Sequence, residues 1–257
     1  MSASLHLIAI QLRVAHLSRS INFYVRQLGF AVKSQNAGQV DLATSTDGPA
    51  LLTLVEQRDA SAAPPDAAGL FHAALLLPSR PALGAWLAFA HAQGVAFEGF
   101  SDHGVSEAIY FADPDGNGLE FYRDRPRPEW PTANGEIAMS TQPLALRSLL
   151  AEAAPASAAP LAGSTWGHLH LRVTNLDRSE AFYAEKLGMV VTQRSYPGAR
   201  FMAADGYHHH LGLNTWGNPR RPQPAGSLGL VAATFAIAGR QSGVALTDPD
   251  GIHLRVQ

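Results

Sequence analysis

The stretch from His103 to Tyr122, HGVSEAIYFADPDGNGLEFY, sets a His, a Tyr and a Glu around an Asp-Pro-Asp-Gly turn. Tyr110 and Glu120 fall on either side of that turn, so two facing strands would aim both side chains into one cavity. A carboxylate needs His partners to hold a transition metal, and two suitable histidines occur elsewhere. His72 opens the preceding apolar strand, and His168 opens the strand after a long linker. Two neutral imidazoles and one carboxylate, with positions left open, are the ligand set of mononuclear non-haem iron(II) oxygenases. Glu120 sits between Leu119 and Phe121 in a strand expected to be buried, where an unpaired charge would be costly and a metal removes the cost.

The elements that must position these groups repeat along the chain. LRVAHLSRSINFYVRQLGFAV, Leu12 to Val32, aligns without a gap with LRVTNLDRSEAFYAEKLGMVV, Leu171 to Val191. Each copy has an extended LRV end, a short turn, a helix of about three turns, a Gly and another apolar strand. Asp177 with Glu180 suggests a capping box, and Gly29 and Gly188 suit helix C′ positions. Ile21, Tyr24, Val25 and Leu28 have the spacing of a buried helical face, and Glu180, Tyr183, Ala184 and Leu187 form a weaker copy. A second relation links GLFHAALLLP, from Gly69, with GLVAATFAIA, from Gly229; each leads to a DPDG turn, Asp113–Gly116 and Asp248–Gly251, and a terminal strand. A helix over Pro81–Gln93, closed by Gly94, follows the first, whereas in the last unit the helix is missing or cut down.

Four βαβββ-like units therefore account for most of the chain, an α+β fold. The expected modules are 5–58, 67–124, 165–218 and a shortened 226–257, with a linker over 125–164. That linker holds RPRPEWP, an Ala/Pro/Ser-rich stretch and one short helix near Leu144–Ala151.

Composition narrows the function. Of the 257 residues 46% are apolar, enough for a substantial core, and the net charge of −2 argues against a nucleic-acid partner. Without cysteine, disulfides, zinc-thiolate sites and a Cys nucleophile are excluded. Leu5–Ile10 reads as a first strand rather than a signal peptide, and no apolar run is long enough to span a membrane. A soluble, cytoplasmic protein with no membrane partner is expected.

With the repeat established, the chain resembles the vicinal oxygen chelate superfamily, and within it the four-module extradiol (catechol 2,3-) dioxygenases. The resemblance covers nearly the whole chain except the linker. It rests on HGVSEAIYFADPDGNGLEFY and GYHHHLGLNTWG rather than on DPDG alone. It implies paired βαβββ modules, each pair curling an eight-stranded sheet around a divalent metal. The ligand positions it implies are the first strand of one module and the first and last strands of its partner. In the four units these positions hold Ala9, His72 with Glu120, His168, and Ala232 with Arg255. Only units two and three together supply the metal ligands His72, Glu120 and His168, so unit two is expected to pair with three, and one with four.

By the same resemblance His209 takes the acid–base position, while Tyr110 and His103 hydrogen-bond substrate and oxygen intermediates. Two choices stay open from the residues themselves. His170 faces the same side of its strand as His168, and His208 or His210 could replace His209. His253, His6, His16 and His91 carry no signal, and Tyr24 and Tyr183 read as core. The function implied is an extradiol dioxygenase that inserts both atoms of O₂ into a catechol at Fe(II), with Mn(II) as a substitute, in a homo-oligomer. A glyoxalase-like metal-dependent isomerase or transferase, or a non-catalytic antibiotic-sequestering protein, are the rival readings. Substrate choice is expected to lie in loops such as Thr192–Arg200 and Asn214–Gly226.

Overall fold

Strand content dominates the computed structural model, which describes residues 4–257. In chain order the first strands are β1 (Leu5–Val14), β2 (Ala31–Asn36), β3 (Gln39–Ala43), β4 (Leu52–Glu56), β5 (Gly69–Leu76), β6 (Phe97–Asp102), β7 (Ser106–Ala112) and β8 (Gly118–Asp124). The connecting segment carries three two-residue strands, β9 (Thr132–Ala133), β10 (Glu136–Ile137) and β11 (Gln142–Pro143). Then follow β12 (Thr165–Arg172), β13 (Val190–Gln193), β14 (Ala199–Ala203), β15 (Leu211–Asn214), β16 (Gly229–Ile237), β17 (Val244–Thr247) and β18 (His253–Val256). The helices are α1 (Leu17–Ile21), which runs on as a π-helix over Asn22–Gln27, α2 (Arg80–Ala92), α3 (Leu146–Ala151) and α4 (Leu176–Leu187). The α+β class expected from the repeat is the class observed.

Two large mixed sheets organise these strands. One has the order β17-β18-β16-β1-β4-β3-β2, the other β11-β6-β7-β8-β5-β12-β15-β14-β13. The second sheet thus joins residues 69–124 to residues 165–214 through the antiparallel pair β5–β12. Antiparallel β1–β16 makes the corresponding join in the first sheet. β1 alternates buried and open positions, as a strand with one face on the core should, whereas β5 is buried on both faces over His72–Leu75. One contiguous apolar core lies behind both sheets, with Trp86 of α2 against Phe111 and Phe121.

Local chemistry explains the helix ends. Ser79 caps α2 by accepting from Ala82 N, and Pro81 occupies its first turn. α4 starts two residues earlier than a capping box on Asp177 would require. Asn175 is its N-cap, accepting from Arg178 N, and Glu180 instead pairs with Arg194. At the other end Gly188 takes φ 71°, the left-handed C′ conformation. Between β16 and β17 a turn replaces the helix found in the other units.

The two DPDG turns are tied to the two Tyr-bearing helices. Tyr24 donates to Asp113 Oδ2 at 2.9 Å, and Tyr183 donates to Asp248 Oδ2 at 3.0 Å. In each turn the other carboxylate oxygen accepts backbone N–H groups, from Asp115 and Asn117 in one case and Asp250 and Ile252 in the other. Both tyrosines are buried core residues, and their hydroxyls pin the hairpin that follows in space.

Candidate metal centre and its cavity

Three adjacent strands bring the candidate ligands into one row. Glu120 on β8 lies beside Ala74 on β5 in parallel register, and Ala74 pairs with His168 on β12. His72 lies two residues before Ala74, hence on the same face. A bulge between Trp166 and His168 adjusts β12 at this point. Glu120 Oε2 is 3.0 Å from His72 Nε2 and 3.2 Å from His168 Nε2, and the three residues offer ligand atoms all within 4.8 Å of one another. All three side chains are buried.

The first sheet repeats the same register with different side chains. Ala9 on β1 pairs with Thr234 on β16, which lies beside Arg255 on β18. The row His168–Ala74–Glu120 therefore corresponds to Ala9–Thr234–Arg255, and Ala232 stands where His72 does. Neither alanine can ligate a metal and Arg offers only donors. Among the described residues His72, Glu120 and His168 are the one group of this kind.

The donor set fits a divalent transition metal. His168 Nδ1 is buried without a hydrogen-bond partner, and His72 Nε2, though 3.0 Å from Glu120, lacks the geometry of a hydrogen bond to it, so these imidazoles do not form a self-sufficient hydrogen-bonded cluster. Burial resists ionisation of Glu120, yet the His168 and His72 rings against its carboxyl hold it well below the usual carboxylate range. Burial also pushes the His168 imidazole down, against the pull of Glu120. An ionised Glu120 beside a neutral His168 is the protonation state a metal requires of these two groups.

Tyr110 pairs directly across from Glu120 in the β7–β8 hairpin. Its hydroxyl is 2.7 Å from His103 Nε2, and His103 Nδ1 is 2.6 Å from Ser140 O. A carbonyl oxygen only accepts, so Nδ1 carries the proton and Nε2 accepts from the phenol. Burial, with Glu120 adding to it, pushes the Tyr110 phenol well up, and it remains neutral.

GYHHH enters the cavity by one ring. Of His208, His209 and His210, only His209 lines it, its ring 4.1 Å from that of His168. Burial, reinforced by His168 and His208, holds His209 neutral far below the ordinary imidazole range. His208 turns away to Asp124, and His210 packs against Tyr207 and His6. His170 also lines the cavity, 4.9 Å ring to ring from His72. Gly212 beside it leaves the room its ring occupies, since a Cβ there would come within 2.7 Å of the imidazole. His6, His16, His91 and His253 lie outside the cavity.

The cavity has a volume of about 280 Å³ and mostly apolar walls, including Phe71, Met139, Tyr196, Phe201 and Trp216. Tyr196 and Trp216 come from the loops 192–200 and 214–226. Met139 and Thr141 come from the connecting segment, which the sequence marks only as a linker. Tyr196 and Thr141 hydroxyls meet at 2.9 Å, closing the wall between the two halves. The link from His208 to Asp124 also escaped the sequence, because it depends on where the residues before β15 cross the end of β8.

A model of the Glyoxalase/Bleomycin resistance protein/Dioxygenase superfamily matches residues 5–121 and 165–245. A Bacillus subtilis (strain 168) protein named catechol-2,3-dioxygenase is 39% identical over 231 residues, spanning 88% of this chain and 80% of that protein. Among solved structures, glyoxalase I from Zea mays superposes with a TM-score of 0.59 at 16% identity, over 99% of this chain and 92% of that one. The cppA protein from Streptococcus pneumoniae gives a TM-score of 0.62 at 9% identity, over 100% and 99%. At such identities these structures share the fold, and the site carries the chemistry.

Proposed function

This chain belongs to the Glyoxalase/Bleomycin resistance protein/Dioxygenase superfamily, and from that premise we propose that it is an extradiol ring-cleaving dioxygenase acting on a catechol-type diol. The observation that carries the reading is the buried His72–Glu120–His168 group at the wall of an aromatic-lined cavity. The name of the 39% identical Bacillus relative supports it. His72, Glu120 and His168 would hold one divalent metal, Fe(II) in this reading, with Mn(II) as the alternative. A metal held by these residues would supply the chemistry that activates a diol and O₂ toward each other.

The remaining roles belong to the chain's own side chains. Phe71, Phe201 and Trp216 present flat apolar surfaces that suit an aromatic ring and exclude water from it. His209, kept neutral by burial, takes the proton of a substrate hydroxyl at Nε2, and later returns it to oxygen. His103 is held in one orientation by Ser140, and the Tyr110 phenol proton, turned from His103 Nε2 to the cavity, would steady negative charge on substrate oxygen. The connecting segment, through Met139 and Thr141, completes the substrate wall.

Oxygen uptake by protein reconstituted anaerobically with Fe(II) tests the proposal. Consumption of one O₂ per catechol, with a yellow ring-opened product, is the expected result. No uptake with catechol or bulkier diols, by protein shown to hold iron, contradicts it.

A further inference from the structure

A buried hydrogen-bonded line leads from the cavity towards the surface behind His209. His209 Nδ1 lies 2.7 Å from His208 Nδ1, and His208 Nε2 lies 2.8 Å from Asp124 Oδ1. His208 is fully buried, whereas the Asp124 side chain is 24% exposed. Tyr207 donates to the other carboxylate oxygen, Asp124 Oδ2, at 2.9 Å, and the Tyr122 and Tyr207 hydroxyls meet at 2.8 Å. The Tyr207 proton is committed to Asp124, so Tyr122 is the donor to Tyr207. Asp124 therefore accepts on both oxygens and is held on both sides.

This line has only one consistent arrangement of protons for two neutral imidazoles. The Asp124 carboxylate only accepts, so His208 must carry its proton on Nε2. A neutral His208 then presents a bare Nδ1, which only accepts. His209 must donate to it from Nδ1, which leaves the Nε2 lone pair of His209 for the cavity that this residue lines. Without the line, either tautomer of His209 is open to it, and the Nε2–H form cannot accept a proton at that atom.

We infer that Asp124 and His208 are positioning residues that fix His209 in the Nδ1–H tautomer, so that its Nε2 faces substrate as a base. The inference rests on the acid–base reading of His209 given above. When the substrate O–H bond breaks, its electron pair stays on oxygen and the proton passes to Nε2. The imidazolium so formed is stabilised by His208 and, through it, by the Asp124 carboxylate. The arrangement has the logic of a carboxylate orienting a catalytic histidine, with a second imidazole interposed.

Nitrogen-15 NMR of histidine-labelled protein, metal-free and loaded with diamagnetic Zn(II), reads the tautomer directly. His209 is expected to carry its proton on Nδ1 and His208 on Nε2; a proton on Nε2 of His209 overturns the inference. Turnover of two variants supplies the second arm. His208→Phe removes the acceptor and should lower kcat about 10²-fold with KM little changed. His208→Asn keeps an acceptor near the position of Nδ1 and should restore most of that loss. Equal losses in the two variants overturn the inference, since they mark a packing role. Wild-type turnover in His209→Phe would remove the acid–base reading itself, whatever tautomer is measured.

Discussion

Glu120 and His168 come within 3.2 Å of each other although 48 residues and the whole connecting segment separate them. The pair exists because β5 lies between their strands, parallel to β8 and antiparallel to β12. A metal bound by this group would tie the two halves of the nine-stranded sheet together. A ligand that binds only the folded state stabilises it by about 2.7 kcal/mol at a free concentration 100 times its Kd. Fe(II) or Zn(II) should therefore raise the thermal midpoint of the wild type, a chelator should reverse the rise, and Glu120→Ala should show neither. Calorimetry with and without metal makes the comparison.

Replacing His209 separates proton transfer from metal binding. His209→Phe is expected to retain metal while kcat falls about 10²–10⁴-fold, the usual contribution of a general acid–base group. Metal content and steady-state kinetics on the same preparation check both halves of the statement.

Much of this candidate site is legible in the sequence. The hairpin from Tyr110 to Glu120 could be read because strand alternation and a DPDG turn together put both side chains on one face. The repeats could be read because LRV, Gly and DPDG recur at matching positions. Contacts that depend on how distant segments cross could not be read. Asp124 looks like an ordinary strand-end acid until the Tyr207–His210 segment is laid over it, and Met139 looks like linker until it lines the cavity. The cap of α4 was misplaced for a local reason: Asn175 and Asp177 are both good caps, and Glu180 follows the second at capping-box spacing but is drawn away by Arg194.

The Tyr183 hydroxyl is remote from the cavity and holds the second DPDG turn. Tyr183→Phe leaves a buried Asp248 oxygen without that donor, which should cost about 1–3 kcal/mol of stability. Denaturant unfolding should detect the loss, and kcat and KM should stay at wild-type values.

His210 gives the folded state an acid-sensitive edge. Burial, with His6 and His208 adding to it, lowers its pKa to about 3. An unfolded imidazole titrates near 6.5, so between about 6.5 and 3 the unfolded chain binds a proton that the folded one does not. Stability is fully present above this window and falls as pH drops through it, with a slope approaching 1.4 kcal/mol per pH unit, roughly, from this one group. His210→Phe should flatten that part of a stability–pH curve measured by urea unfolding.

Trp216 forms part of the aromatic wall and packs edge-on against Phe71. Under the proposed function, Trp216→Ala should remove contact area that substrate meets equally in ground and transition states. KM for catechol should rise severalfold, about 1 kcal/mol of binding, with kcat nearly constant. Steady-state kinetics over a series of ring-substituted catechols measures this.

The joint ownership of one metal by His72, Glu120 and His168 is tested most directly by anaerobic Fe(II) titration of the wild type and four single variants. One Fe(II) per chain in the wild type and in His170→Ala, with binding lost in His72→Ala, Glu120→Ala and His168→Ala, is the predicted result. Undiminished one-to-one binding in either Glu120→Ala or His168→Ala would contradict it.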